Sequence, residues 1–197
     1  MRKAGSVELR SGPDSTMAQT ATIYNLDIDL ADIDRGVYEK LELRIARQPS
    51  ETIEYMLMRV FAYCLEYGEG IEFTEGVAAG NDPAVLVRDL TGRITAWIEV
   101  GMPDADRLHR GIKLAGRAAV YTHRDARKLM AQLSSADVQR LADVPVFAFD
   151  ANFVDEVAGL LERRSEMALS ITEREFYLHI AGRSFTTSIV EHRVTSS

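Results

Sequence analysis

Apolar and polar residues alternate with period two over 21–30 through Ile23 (Tyr24), Leu26, Ile28 and Leu30, with Asp27 and Asp29 on the opposite face. Such alternation predicts a half-buried strand. Turn residues at 32–36 and a second alternation through Leu41, Leu43 and Ile45 make 21–47 an antiparallel hairpin. Pro49-Ser50 then opens a helix expected to run to about Tyr67. Ser50 is placed to cap it, Glu51 and Glu54 sit near the positive end of its dipole, and Gly68 and Gly70 stop it. Short strands are expected at 71–73 and 85–88, separated by the break Gly80-Asn81-Asp82-Pro83. The segment 94–100 is apolar on both faces, as a central strand should be. Beyond it the pattern predicts helix 105–117, strand 118–122, helix 124–133, strand 144–149 and helix 153–163, then an antiparallel meander over 167–194.

Three acids stand where this pattern should bury them. On a wheel of about 100° per residue, Glu54 falls inside the apolar arc of its helix, between Phe61 and Leu65. It either points to the core and needs a partner, or escapes to water from the first turn. Glu51 lies beyond the arc edge and reads as a dipole partner. Glu99 shares a strand face with Trp97 in the most apolar strand, where a lone carboxylate asks for a cation. Asp89 ends the preceding strand, just before the turn Leu90-Thr91-Gly92. Taken alone it is an ordinary turn aspartate. Taken together, the acids ending the two strands are expected to meet at one sheet edge, with Glu54 completing the set. Three oxygen ligands of this kind suit Mg²⁺ or Mn²⁺, which would hold a phosphate and activate water.

The 197 residues carry a net charge of −7. This gives no global basic footprint of the kind nucleic-acid binders show. Arg107, Arg110, Lys113, Arg117, Arg124, Arg127 and Lys128 do cluster locally, either as the solvated faces of two helices or as a basic groove. No apolar run approaches the roughly 18 residues of a membrane span. The single cysteine, Cys64, lies on the apolar helix arc, so the expected compartment is the reducing cytoplasm. The four histidines lack zinc-site spacing. Residues 1–16 read as a disordered leader ahead of Met17, and 17–197 as one domain.

The blocks Gln48-Pro-Ser-Glu-Thr-Ile-Glu-Tyr-Met-Leu-Met-Arg59, Phe73-Thr-Glu-Gly76 and Asp89-Leu-Thr-Gly-Arg-Ile-Thr-Ala-Trp-Ile-Glu-Val-Gly-Met-Pro-Asp104 resemble YaeQ proteins over nearly all of 17–195. The resemblance implies an α/β (α+β) fold with a restriction-endonuclease-like PD-(D/E)XK core. That core is a mixed sheet flanked by helices, here joined by the N-terminal hairpin and the C-terminal meander. The resemblance also implies Asp89 as the motif aspartate, Glu99 as the second acid and Glu54 as the helix glutamate, together a Mg²⁺ or Mn²⁺ site acting on nucleic-acid phosphodiesters. The motif lysine is absent: two residues after Glu99 stands Gly101. A basic group from helix 105–117 is the expected substitute. Arg110 and Lys113 lie on its polar side and Arg107 nearer the boundary, and the choice among them stays open. The alternative is a catalytically inactive binding or regulatory module on the same fold.

Overall fold

The structure is a computed structural model that describes residues 20–75, 80–135, 141 and 143–193; the leader read at 1–16 lies outside them. The chain runs β1 (Thr22–Asp32), β2 (Val37–Arg47), α1 (Ile53–Leu65), β3 (Ile71–Phe73), β4 (Val85–Arg88), β5 (Ile94–Val100), α2 (Ala105–Ala115) and β6 (Ala118–Thr122). It continues with α3 (Ala126–Ser134), β7 (Pro145–Ala148), α4 (Ala151–Ala158), β8 (Arg164–Thr172), β9 (Glu175–Ile180), β10 (Arg183–Ser188) and β11 (Val190–Arg193). Among the described residues no helix is long and apolar enough to cross a membrane.

The expected mixed sheet flanked by helices is present, and the hairpin and most of the meander join into a second mixed sheet, with helices between and outside the two. One has the order β10-β9-β8-β1-β2 and the other β11-β7-β6-β5-β4-β3. The period-two residues of β1 and β2 pair in register, Leu26 with Leu43 and Ile28 with Leu41, and turn one apolar face inward. The meander divides. β8 to β10 extend the hairpin's sheet because β8 lies parallel to β1, Leu30 opposite Leu169, whereas β11 pairs antiparallel with β7 of the other sheet. Alternation shows which residues face inward but not which neighbour a strand takes.

The main core lies between the sheets. The inner face of the β1–β2 sheet, α1, α4 and the Ile98 and Val100 side of β5 bury a common set of apolar residues, with Phe61 edge-on to Phe176 at 4.8 Å between centroids. A smaller core joins α2 and α3 to the opposite face of β5 to β7 through Trp97, Leu108, Val120 and Leu129. Helix α1 starts two residues later than expected. Thr52 is its cap and accepts from the Tyr55 amide at 3.2 Å, because residues 48–51 first close a turn in which the Glu51 amide bonds the Gln48 carbonyl.

Candidate functional site

β5 and β6 run parallel, and their carboxyl ends face the amino end of α1 and the loop leading into α2. The carboxyl edge of parallel strands is where α/β sheets commonly hold ligands. Glu99 lies near this end of β5 on the face that packs against α2 and is 1% exposed. Trp97, two residues earlier on the same face, donates Nε1–H to Glu99 Oε1 at 2.7 Å. Helix α2 can approach this face because Gly111 has no side chain: a Cβ there would lie 2.4 Å from Trp97 Cγ.

Asp104 caps α2 by accepting from the Arg107 amide at 2.8 Å. One turn inside the helix, Arg107 reaches back over the strand end. Its Nε meets Glu99 Oε1 at 2.8 Å, Nη1 donates to the Gly80 carbonyl at 2.7 Å, and Nη2 donates to the Asp82 carbonyl. Burial pushes the Glu99 carboxyl above the usual range, while the Arg107 charge and the Trp97 hydrogen bond pull it down. Glu99, Arg107, Asp104, Gly80 and Tyr55 border a cleft of about 430 Å³. Tyr55 is pushed up to about 12, first by burial and then by the Glu99 charge.

Asp89 is not part of this arrangement. β4 and β5 pair antiparallel, Val85 opposite Ile98 and Arg88 opposite Ile94, so Asp89 sits at the far end of the hairpin from Glu99. The six residue steps from Arg93 to Glu99 span about 20 Å of extended chain. Asp89 instead holds the turn. Its Oδ1 accepts from the Thr91 amide, the Thr91 hydroxyl and the Arg93 amide at 2.9, 2.6 and 3.1 Å. These bonds, the Thr91 hydroxyl first, hold its carboxyl below the usual range. The acid whose backbone the register brings to Glu99 is Asp82, just before β4. Antiparallel pairing, in which the start of one strand meets the end of the next, was the signal that could have found it.

Of the three basic residues considered on α2, Arg107 is the one that reaches Glu99. Arg110 is exposed and donates to Asn81 Oδ1 at 2.7 Å, on the rim of the same loop. Lys113 is exposed and makes no hydrogen bond or ion pair among the described residues. Arg107 is favoured by position: a first-turn side chain lies nearest the strand that leads into its helix.

Glu54 is half-buried in the first turn of α1. Its own amide and then Thr52 hold its carboxyl below the usual range, with His123 and Arg124 adding smaller contributions. It lies on the α1 side of the sheet, whereas Glu99 faces α2. The buried acid of that segment is Glu51, which the wheel had left at the surface. It is 4% exposed and pairs with the equally enclosed Arg59 at 2.8 Å. Cys64 is buried and its thiol is pushed up to about 12 by burial, so it is a core residue.

A Mg²⁺ or Mn²⁺ site built on Glu54, Asp89 and Glu99 does not fit this geometry. The three lie apart, Glu99 Oε1 already carries a guanidinium, and among the described residues no group of three or more His, Cys, Asp or Glu side chains could hold an ion.

The family model described as YaeQ protein matches residues 17–189. The YaeQ protein of Escherichia coli (strain K12) is 29% identical over 163 residues, 82% of this chain and 90% of that protein. That of Salmonella typhi is 28% identical over the same length. The crystal structure of the YaeQ protein from Pseudomonas syringae superposes with a TM-score of 0.81 at 29% identity, covering 90% of this chain and 97% of that one. The YaeQ protein from Xanthomonas axonopodis pv. citri also gives 0.81, at 25% identity, covering 89% and 100%. The match of the family model over residues 17–189, with these relatives and superpositions beside it, leads to one conclusion: the chain belongs to the YaeQ family.

Proposed function

We propose that this protein is a PD-(D/E)XK-type module that binds nucleic-acid phosphodiesters without cleaving them. The observation that carries the reading is the pairing of Glu99 with Arg107, which occupies the carboxylate a metal would need. Gly101 supports it. At φ +86 this position disfavours any L side chain, so the lysine that would orient water has no strain-free place there. The binding part of the reading rests on Arg110 and Lys113 of α2 and on Arg124, Arg127 and Lys128 at and near the start of α3, all exposed. Both helices pack on the same outer face of the sheet. Phosphate contacts from such side chains release counterions, so affinity should fall as salt is raised.

A second reading, the metal-dependent phosphodiesterase, is favoured by the backbone of Asp82 lying at the Glu99 end of the hairpin. One experiment separates the two. Fluorescence anisotropy with single- and double-stranded DNA and RNA oligonucleotides, in low and raised salt, is run beside cleavage of the same oligonucleotides with Mg²⁺ or Mn²⁺. The binding module predicts salt-sensitive binding weakened by Arg124→Glu with Lys128→Glu, and no cleavage above that of Glu99→Ala. Cleavage that Glu99→Ala abolishes would make it a nuclease, and absence of binding to every oligonucleotide would sink the nucleic-acid reading.

A further inference from the structure

Three oxygens converge on the Arg107 guanidinium: Glu99 Oε1 on Nε, the Gly80 carbonyl on Nη1 and the Asp82 carbonyl on Nη2. One carboxylate and two main-chain carbonyls make a set of hard oxygen donors, the composition that Ca²⁺, Mg²⁺ and Mn²⁺ prefer. Trp97 holds the carboxylate in place from behind, the Asp104 cap fixes the first turn of α2, and the cleft bordered by Tyr55 opens beside it. Resting on the reading of this cleft as the carboxylate site of a nuclease-type fold, we propose that Arg107 is the resident cation of this oxygen cage. It occupies the place of a divalent ion and excludes one, and it ties the loop through Gly80 and Asp82 to the end of β5. The misfit of a metal is therefore a property of one side chain. The oxygens themselves are suited to an ion once the guanidinium is removed.

The mutual geometry supports this over a simple surface ion pair. Glu99 is almost wholly enclosed, and a buried carboxylate without a cation is strongly disfavoured. All three classes of guanidinium nitrogen are engaged on cage oxygens. A lysine ammonium on a flexible stem cannot serve three diverging acceptors in this fixed planar arrangement.

The test uses the full chain after treatment with a chelator, as wild type, Arg107→Ala, and Arg107→Ala combined with Glu99→Gln. Thermal unfolding is followed with and without Mn²⁺ or Ca²⁺. Because the chain has a single tryptophan, at the cage itself, Mn²⁺ quenching of Trp97 fluorescence gives a second readout. Wild type should show neither shift nor saturable quenching. Arg107→Ala should gain a rise in Tm of about 5–10 °C at roughly a hundredfold excess of ion over its Kd. It should also gain saturable quenching, and both gains should vanish with Glu99→Gln. Arg107→Met, which keeps an apolar stem, replaces alanine if that variant does not fold, and added ion should then restore folding. Equal responses from wild type and Arg107→Ala, a folded Arg107 variant with no response, or unfolded variants that no ion rescues would each overturn the assignment. Nucleic-acid binding is not among the readouts, so this proposal and the binding reading fail separately.

Discussion

Truncating Glu51 to alanine strips the counter-charge from a guanidinium that cannot reach water. Arg59 is 1% exposed, and its Nη1 lies 2.8 Å from Glu51 Oε1. Its other described contacts are the Thr74 carbonyl at 2.6 Å, the Ala46 carbonyl at 3.5 Å and the face of Phe73 at 5.6 Å. Its Nε has no hydrogen-bond partner among the described residues. Glu51 Oε2 in turn accepts from the Gln48 amide at 2.8 Å, which closes the turn ahead of α1. Removing one member of such a buried pair costs about 3–5 kcal/mol, because the remaining charge stays desolvated. For a chain of this size that is a fall in Tm of about 6–20 °C. Urea unfolding followed by Trp97 fluorescence measures it. Replacing both partners with apolar residues of similar volume, Glu51→Leu with Arg59→Met, should recover most of the loss. A loss below about 1 kcal/mol for Glu51→Ala, the size of an exposed pair, would refute the claim that this pair is buried and uncompensated.

Glu99 should titrate above the ordinary 4.5, because burial outweighs the pull of Arg107. With a folded pKa raised above the unfolded one, its contribution to stability is full below pH 4.5 and is lost as pH rises through the folded value. The stability of wild type relative to Glu99→Gln should therefore decline as pH rises from 4.5, and an increase over that range in urea titrations would contradict the assignment. Gly111→Ala should cost about 1–3 kcal/mol by forcing α2 off Trp97, with a red shift of the Trp97 emission; unchanged emission and Tm would show that the helix yields freely. Asp89→Ala should loosen the β4–β5 turn yet leave oligonucleotide affinity and any cleavage unaltered, and loss of either would contradict its placement at the far end of the hairpin.

The elements were legible because their signals are local. Alternation from Tyr24 to Leu30 requires only that one face of a strand be buried, and the structure places Tyr24, Leu26, Ile28 and Leu30 inside as that pattern predicts. The doubly apolar run around Trp97 and Ile98 marked β5 as central, and it lies between β4 and β6. Glu99 was recognisable for the same reason: an acid within an apolar strand signals a partner wherever the chain goes next.

The identity of that partner is a different kind of fact. Arg107, Arg110 and Lys113 share one helix and one chemistry. The choice of Arg107 follows from the close approach of α2 at Gly111 and the Asp104 cap, which set where the first turn sits over the strand end. Antiparallel register sent Asp89 away from Glu99 and brought the Asp82 backbone to it, and no residue in the turn itself announces which end of a hairpin a distant carboxylate occupies. Glu51 went inward against its wheel position because it lies in the turn before α1, where helical angles do not apply, and because Arg59, eight residues on, was there to receive it. What the sequence determined by itself were the strands, the helices, their buried faces and the anomaly of a carboxylate among apolar residues, since these follow from periodicity along a few consecutive residues. The second sheet, the departure of β11 from its meander and the oxygens gathered around Arg107 were decided only by tertiary structure, because each depends on contacts between segments far apart in the chain.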